Sequence, residues 1–486
     1  MTGGVALLDY NGDGRLDLFF VNAGKLPGNF SRDNPDYWNR LFKQNPDGSF
    51  TDVTKAVGLA HAGNNYGMGV AVGDYDNDGH PDIYITNFGL NQLYHNNGDG
   101  TFTDVTETAG VAAGGWSVSA AFLDYDNDGK LDLFVSRYLE YDLSRNILCG
   151  TPFHTYCRPD KYKGTTNILF HNEGNGRFRD VSQPSGIGSF TGNGMGVAVN
   201  DYDNDGFPDI FVSNDMMEQF LFHNKKNGTF EEAATAAGVA YSFEGRTFSG
   251  MGVAFADYDN DGLPDIAISN LAREKHALFH NDGAGQFSDS SLKSGLAELS
   301  ARGSGWGLGF YDIDNDGWKD LFVSQSHVID NVQRIDASIP YLQPPALYRN
   351  RGGRFEKADL GPLPAIAGRG VAFGDLNNDG AIDAVITVLG GRPLIYQNRP
   401  NRNHWLILKL TGVHCNRDGI GAKVRAGKQW AYVSTSGSYL SASDSRVHFG
   451  LGAATQTGVE ILWPSGKRQT LDHVAADRII TVKEPE

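Results

Sequence analysis

Short runs of small and apolar residues recur along the chain, each followed by a dense polar cluster and then by a second apolar run. Gly67-Met68-Gly69-Val70-Ala71-Val72 and Gly250-Met251-Gly252-Val253-Ala254-Phe255 are two of the leading runs. Runs of this length, bounded by Gly, Asp and Asn, predict strands rather than helices. After the cluster, Ile83-Tyr84-Ile85-Thr86-Asn87 predicts a second strand and Gln92-Leu93-Tyr94-His95-Asn96 a third. An Asn-Gly-Asp-Gly turn suited to a tight hairpin then leads to a fourth strand, Phe102-Thr103-Asp104-Val105-Thr106.

The unit repeats. Its polar cluster is a nine-residue string that occurs seven times, starting at Asp9, Asp74, Asp124, Asp201, Asp257, Asp312 and Asp375, at spacings of 65, 50, 77, 56, 55 and 63 residues. Four antiparallel strands per unit describe a propeller blade, and radial closure leaves only short, protected sheet edges. Solenoid repeats are shorter and carry fewer elements. The expected fold is all-β: a seven-bladed β-propeller over residues 1–400. The repeat stops near Asn401, and 401–486 reads as a small β-sandwich-like domain. Its strands are expected at His404–Leu410, Ala422–Val424, Val459–Leu462 and Ile479–Val482, with the turn Trp463-Pro464-Ser465-Gly466 between the last two.

The longer spacings locate insertions at Gly24–Arg40, Arg137–Thr166 and Gln325–Ala346, in blades 1, 3 and 6. Loops of this length in a compact repeat are more often functional than idle. Blade 7 lacks an outer strand after Leu394-Ile395-Tyr396. Either residues upstream of Met1 have been lost or the C-terminal region supplies it; the first alternative also accounts for the absence of an export signal after Met1.

Within the string, positions 1, 3, 5 and 9 are carboxylates or Asn and position 6 is always Gly. The candidate ligands are Asp9, Asn11, Asp13 and Asp17; Asp74, Asp76, Asp78 and Asp82; Asp124, Asp126, Asp128 and Asp132; and Asp201, Asp203, Asp205 and Asp209. The last three copies add Asp257, Asp259, Asp261 and Asp265; Asp312, Asp314, Asp316 and Asp320; and Asp375, Asn377, Asp379 and Asp383. Position 7 is Arg15, His80, Lys130, Phe207, Leu263, Trp318 or Ala381, a freedom that fits a ligand offered by the backbone carbonyl. A turn needs one Asp and one Gly. Carboxylates about 4 Å apart repel by roughly 4 kcal/mol per pair at an effective dielectric of 20, so the clusters call for a cation. All-oxygen ligands in an irregular loop select calcium, up to seven ions acting as structural staples. Calcium modules of weak affinity work outside the cytoplasm, extracellular or periplasmic.

Composition agrees. The net charge of −17 disfavours nucleic acid, and no apolar run is long enough for membrane insertion as a helix. The strings hold 26 of the 58 acidic residues, and seven Ca²⁺ would bring −17 to −3, so the acidity is mostly ligand. Glycine, 62 of 486 residues without a Gly-X-Y period, fits many tight turns and excludes collagen.

These strings resemble FG-GAP (VCBS-type) repeats, the calcium-bearing blades also found in integrin α-subunit propellers. The segments Asn416-Arg417-Asp418-Gly419-Ile420-Gly421-Ala422-Lys423-Val424, His448-Phe449-Gly450-Leu451-Gly452 and Trp463-Pro464-Ser465-Gly466 resemble the ASPIC/UnbV domain. The combination is similar to the cartilage acidic protein family. The resemblance implies that the Asp positions are calcium ligands in a secreted or surface-exposed protein with adhesive or binding roles. Cys415 departs from it, standing where such domains often have Ser.

Cys149 and Cys157 could form a disulfide across the blade 3 insertion, which export favours; two reduced thiols, or a metal site with His154, are the alternatives. His95, His171, His223 and His280 recur before Asn at one point of the repeat and read as packing or turn residues. Asn29-Phe30-Ser31 and Asn227-Gly228-Thr229 are formal glycosylation sequons, the second on a blade turn. No catalytic motif is present. Three functions remain: a module binding a protein or glycan ligand through its insertions; a lectin-like protein with Tyr- and Trp-rich pockets between blades; and an enzyme, for which His154, Arg158 and Asp160, or His327 and Asp330, mark the loops to inspect.

Overall fold

The computed structural model describes residues 2–24, 34–60 and 66–486. The protein is all-β and propeller-like. Each nine-residue string joins the first and second strands of an antiparallel sheet, and the sheets are meanders. Val5–Leu8, Asp17–Phe20, Arg40–Gln44 and Phe50–Asp52 form the first; Tyr66–Gly73, Asp82–Phe88, Gln92–Asn96 and Phe102–Asp104 form the second. Five further sheets start at Ser117, Gly194, Val253, Gly305 and Gly368. The sheet starting at Gly368 has three strands among the described residues, as its missing outer-strand motif requires. Most of the Gly24–Arg40 insertion, with the Asn29 sequon, lies outside the described residues.

The first strands are almost fully buried and rich in Gly, Ala and Ser because they crowd together at the centre. A Cβ on Gly69 would lie 2.6 Å from the Val118 carbonyl of the next sheet, and one on Gly370 would lie 2.5 Å from the Gly3 carbonyl. Further out, one polar side chain on, or just after, each third strand clips its sheet to the preceding one. Asn96, Asn172, Asn224, Asn281, Asn350 and Asn398 donate to the carbonyls of Tyr10, Tyr75, Tyr125, Tyr202, Tyr258 and Ile313 at 2.7–2.8 Å. Gln44 completes the cycle by donating to Leu376 O at 2.9 Å, which joins the first sheet to the last.

Residues 401–486 carry two sheets. His404–Thr411 pairs with Val447–Gly452 and, in parallel, with Arg478–Lys483. The other sheet holds Lys423–Ala426, Gln429–Tyr432, Gln456–Leu462 and Arg468–Ala475. The Trp463–Gly466 turn therefore leads into Arg468–Ala475, which precedes the last strand. Leu406, Val424, Phe449 and Ile461 share one continuous core with Phe122, Leu133 and Phe170 of the repeats.

The segment 434–444 runs through the centre of the ring and touches every first strand. Val5, Val70, Val197, Val253 and Phe373 all make backbone hydrogen bonds with it, at 2.7–3.0 Å through Ala442, Leu440, Gly437, Ser438 and Asp444. Leu440 N donates to Ser119 Oγ, and the Tyr439 ring lies 5.1 Å from that of Trp306.

Candidate metal centre

All seven strings fold into one loop design. The position 1 carboxylate accepts backbone N–H groups from positions 5 and 6, as Asp124 does from Asp128 N at 3.0 Å and Gly129 N at 3.0 Å; Asp257 instead accepts from Asn260 N at position 4 and from Gly262 N. The position 5 carboxylate accepts from position 7, as Asp128 does from Lys130 N at 2.9 Å. The position 9 carboxylate is buried and fixes both flanking elements. Asp132 accepts from Tyr125 N at 3.1 Å and from Asn172 N at 2.7 Å. Position 4 adopts positive φ, which Asn and Gly tolerate, from 55° at Asn315 to 69° at Gly12.

Position 3 is different. Asp126 Oδ1, Asp203 Oδ1, Asp259 Oδ1 and Asp314 Oδ1 are buried and have no hydrogen-bond partner among the described residues. A buried carboxylate oxygen left unpaired is costly, and four at the same loop position point to one missing counter-charge. In the outer copies, Asn11 donates to Asp13 at 3.2 Å and Asn377 to Asp379 at 2.8 Å, so those loops partly satisfy themselves. Ligand-capable oxygens of Asp74, Asp76 and Asp78 lie within 4.8 Å of one another.

The loops hold charge against its preference. Burial pushes Asp74 and Asp124 up to about 8, reinforced by neighbouring carboxylates. Burial likewise raises Asp17, Asp82, Asp132, Asp209, Asp265, Asp320 and Asp383 to about 7. Asp201 and Asp375 reach about 6, and Asp312 is pushed well above the usual range. Crowded carboxylates with raised affinity for protons are sites that a divalent cation can take over.

The recurrent histidines belong to these loops. His95, His171, His223 and His280 each place Nδ1 3.2 Å from the position 9 carboxylate and 3.3–3.7 Å from position 3. The contact with Asp82 raises His95 to about 9, and that with Asp265 raises His280 to about 9. Cations approach two other loops: Lys43 lies 3.5 Å from Asp13 at position 5 of the first, and Arg349 lies 3.7 Å from Asp314 at position 3 of the sixth. Periodicity placed the histidines correctly on the third strand, but nothing local showed that they face the carboxylates.

Position 7 side chains have no common placement. Arg15 and Lys130 fold back onto the position 5 carboxylates, and Ala381 is buried. Loops are also linked to one another through position 4, a role that linear reading missed. Asn77, Asn127, Asn260, Asn315 and Asn378 donate to the position 6 carbonyl of the next loop at 2.8–3.1 Å. Between the fourth and fifth loops Lys423 intervenes, contacting Asn204 and donating to Gly262 O at 2.9 Å.

Residues 401–486 cover this loop face. Asp418 accepts Asp74 N at 2.8 Å, His448 Nε2 lies 3.2 Å from Gly380 O, and Arg446 donates to Asp375 O at 3.0 Å. Lys319, buried at position 8, donates to Asp257 O at 2.8 Å and Trp430 O at 2.9 Å. Cys415 is buried here, and Glu484 accepts from its backbone N–H at 3.2 Å.

The opposite face carries the insertions. Cys149 and Cys157 form a disulfide, with Cα atoms 5.1 Å apart, so the metal alternative with His154 is not built. The stapled loop reaches the sixth-sheet insertion, where Asn331 donates to His154 O at 2.8 Å. Arg158 and Asp160 form an exposed pair at 3.6 Å, and His327 is buried with Nδ1 accepting from Ile329 N at 3.1 Å. His327 thus serves its own turn.

Comparison with known proteins fits this architecture. The FG-GAP-like repeat family matches residues 9–85, 74–135, 158–212, 201–268 and 270–323, and the ASPIC and UnbV family matches residues 412–486. Cartilage acidic protein 1 of Xenopus tropicalis is 30% identical over 59% of this chain and 44% of its own length. The Homo sapiens protein of that name is 26% identical over 96% of this chain and 60% of its own length. The chain thus spans about half the length of these relatives. Among solved structures, the BP39L lectin from Burkholderia pseudomallei is similar with a TM-score of 0.49 and 10% identity, covering 82% of this chain and 98% of that one. No helix among the described residues is long and apolar enough to cross a membrane.

Proposed function

Because this chain belongs to the FG-GAP-like repeat family and ends in an ASPIC and UnbV region, we propose that it is a seven-bladed propeller pinned by calcium and acting outside the cytoplasm as an adhesion or ligand-binding module. Residues 1–400 form the propeller, and 401–486 form a second β module lying on the calcium face.

The orphaned position 3 oxygens of Asp126, Asp203, Asp259 and Asp314 carry the calcium reading. The position 1, 3, 5 and 9 carboxylates, with the position 7 carbonyl, would hold the ions. Calcium would supply positive charge that replaces mutual repulsion within each loop. The loop residues fix the hairpin, and their position 4 amides pass that order to the next blade. Loops carrying Asn11 and Asn377 have one carboxylate fewer and bind more weakly. Calcium is a structural element in this reading.

The calcium face is covered by residues 401–486, so the module meets its ligand on the insertion face, where the disulfide-stapled loop and the sixth-blade insertion touch. A carbohydrate ligand is the second reading, favoured by an aromatic cleft at that face.

Native mass spectrometry of undialysed protein tests the first part, with several bound Ca²⁺ expected; a metal-free mass refutes it. Arrays of immobilised glycans and extracellular proteins, probed in calcium and again in chelator, test the second. Folded, calcium-loaded protein that binds neither class refutes the module reading.

A further inference from the structure

At the rim between the second and third sheets, on the insertion face, a cleft of about 480 Å³ opens beneath Tyr141 and Tyr162. The two rings meet edge-on at 5.4 Å, and Tyr141 also packs edge-on against Trp116 at 5.4 Å. The order comes from the blade 3 insertion. Leu139–Glu140 pairs with Lys163–Thr166, which pairs with Thr191–Gly192, so both tyrosines stand on or beside a small sheet.

Two hydrogen-bond donors, one lining this cleft and one behind its wall, have no partner among the described residues. Arg137 lines it, and its Nε is buried without a partner; Trp116 does not line the cleft but packs behind Tyr141, and its Nε1 is buried without one too. Unpaired buried donors are costly and rare, so Arg137 Nε in this cleft asks for an occupant that carries an acceptor. The charges are specific as well. Lys163 is taken by Glu140 at 2.7 Å, and Asp142 is the other carboxylate of the lining; Arg137 and Lys161 form no ion pair among the described residues. Burial lowers the Arg137 pKa against the opposing fields of Asp180 and Glu140, so an anion in direct contact would relieve a desolvated charge.

We infer that this cleft binds a glycan bearing a carboxylate. The tyrosine rings would take the apolar face of the sugar, and the guanidinium of Arg137 with Lys161 would take its carboxylate. The inference deepens the binding-module reading and rests on it. A neutral sugar leaves both cations unanswered. A protein with exposed acidic side chains could satisfy the cations but would not use the aromatic walls.

The test is isothermal titration of the full, calcium-loaded chain with uronate-containing oligosaccharides and with the same oligosaccharides after reduction of the carboxylates to alcohols. Saturable binding of the acidic probe is expected, weakened about tenfold by carboxyl reduction, by Arg137→Gln and by Tyr141→Ala. Lys161→Ala, at an exposed position, should weaken it about threefold and leave the melting temperature unchanged. Equal affinity for acidic and reduced probes overturns the carboxylate assignment. Binding unaffected by all three substitutions overturns the cleft while leaving the module reading intact. If no probe binds, the inference falls, and the module reading is then decided by the protein array alone.

Discussion

Asn172 is the best place to ask whether the sheet-to-sheet clips hold the ring together. It is 1% exposed and makes four hydrogen bonds. Its side-chain amide donates to Tyr75 O at 2.8 Å and Leu131 O at 2.9 Å, and Oδ1 accepts Gly174 N at 3.0 Å. Asn172→Ala leaves two carbonyls in the interior without this donor, while water can reach the half-buried Gly174. Each stranded group costs about 1–3 kcal/mol, and the small void adds to it, for about 3–5 kcal/mol in all. The unfolding entropy of a cooperative chain of 486 residues is about 1 kcal/mol per kelvin, so the melting temperature should fall by about 3–5 °C. Asn97→Ala is the control. Asn97 is exposed and donates to Thr101 Oγ1 at 2.9 Å across a hairpin turn, so its loss should cost less than about 0.5 kcal/mol. Differential scanning calorimetry at fixed calcium reads both. If Asn172→Ala melts within about 1 °C of the parent, the clips do not carry the ring and the reasoning fails.

Three further outcomes are expected. In chelator, stability should fall as pH rises from 5.5 to 8: Asp82, Asp132, Asp209 and Asp265 are raised to about 7 by burial, so their contribution is present below the ordinary carboxylate range and lost through about 7. His95 and His280, raised to about 9, act in the same direction, and a chelated melt that is flat or rising with pH contradicts the assignment. Calcium should then raise the melting temperature more at pH 8 than at pH 5.5, because it competes with those protons; equal increments argue against carboxylate ligation. Gly380→Ala should loosen residues 401–486, since a Cβ there would meet the Trp405 ring at 1.9 Å and φ is +84°; hydrogen exchange across His404–Thr411 reads this, and unchanged protection refutes it.

The nine-residue strings were readable because their chemistry is local: Asp124, Asp126, Asp128 and Asp132 must sit on consecutive turns of one short loop, so their spacing survives in linear order. The strands flanking them were legible for the same reason. Observed Tyr66–Gly73 and Gln92–Asn96 overlap the expected runs closely. The first strand at Gly250 starts later, at Val253, because Gly250 N and Met251 N turn to Asn214 O and Ser269 O. The clips were not legible. Asn172 looks like an ordinary strand-end residue, and its partner Tyr75 is 97 positions away. The cleft was half legible: Tyr141, Tyr162 and Arg137 fall in a long insertion, but Trp116 comes from the preceding connection and joins them only in three dimensions.

The segment 434–444 was the least legible, a serine-rich stretch with no periodicity or motif to name its partners. Its place at the hub has a consequence for how the chain is made. Synthesis runs from the N-terminus, so all seven strings emerge before the hub segment does. Until then the first strands have no common axis to bond to, and Val5, Val253 and Phe373 hold open valences toward an empty centre. The ring must therefore wait, unclosed or loosely closed, for a spindle delivered last. Ala442 reaching Val5 is a contact between the newest and oldest parts of the molecule, and such long-range closure is slow. A nascent chain stalled short of this segment should be a protease-sensitive wheel without an axle.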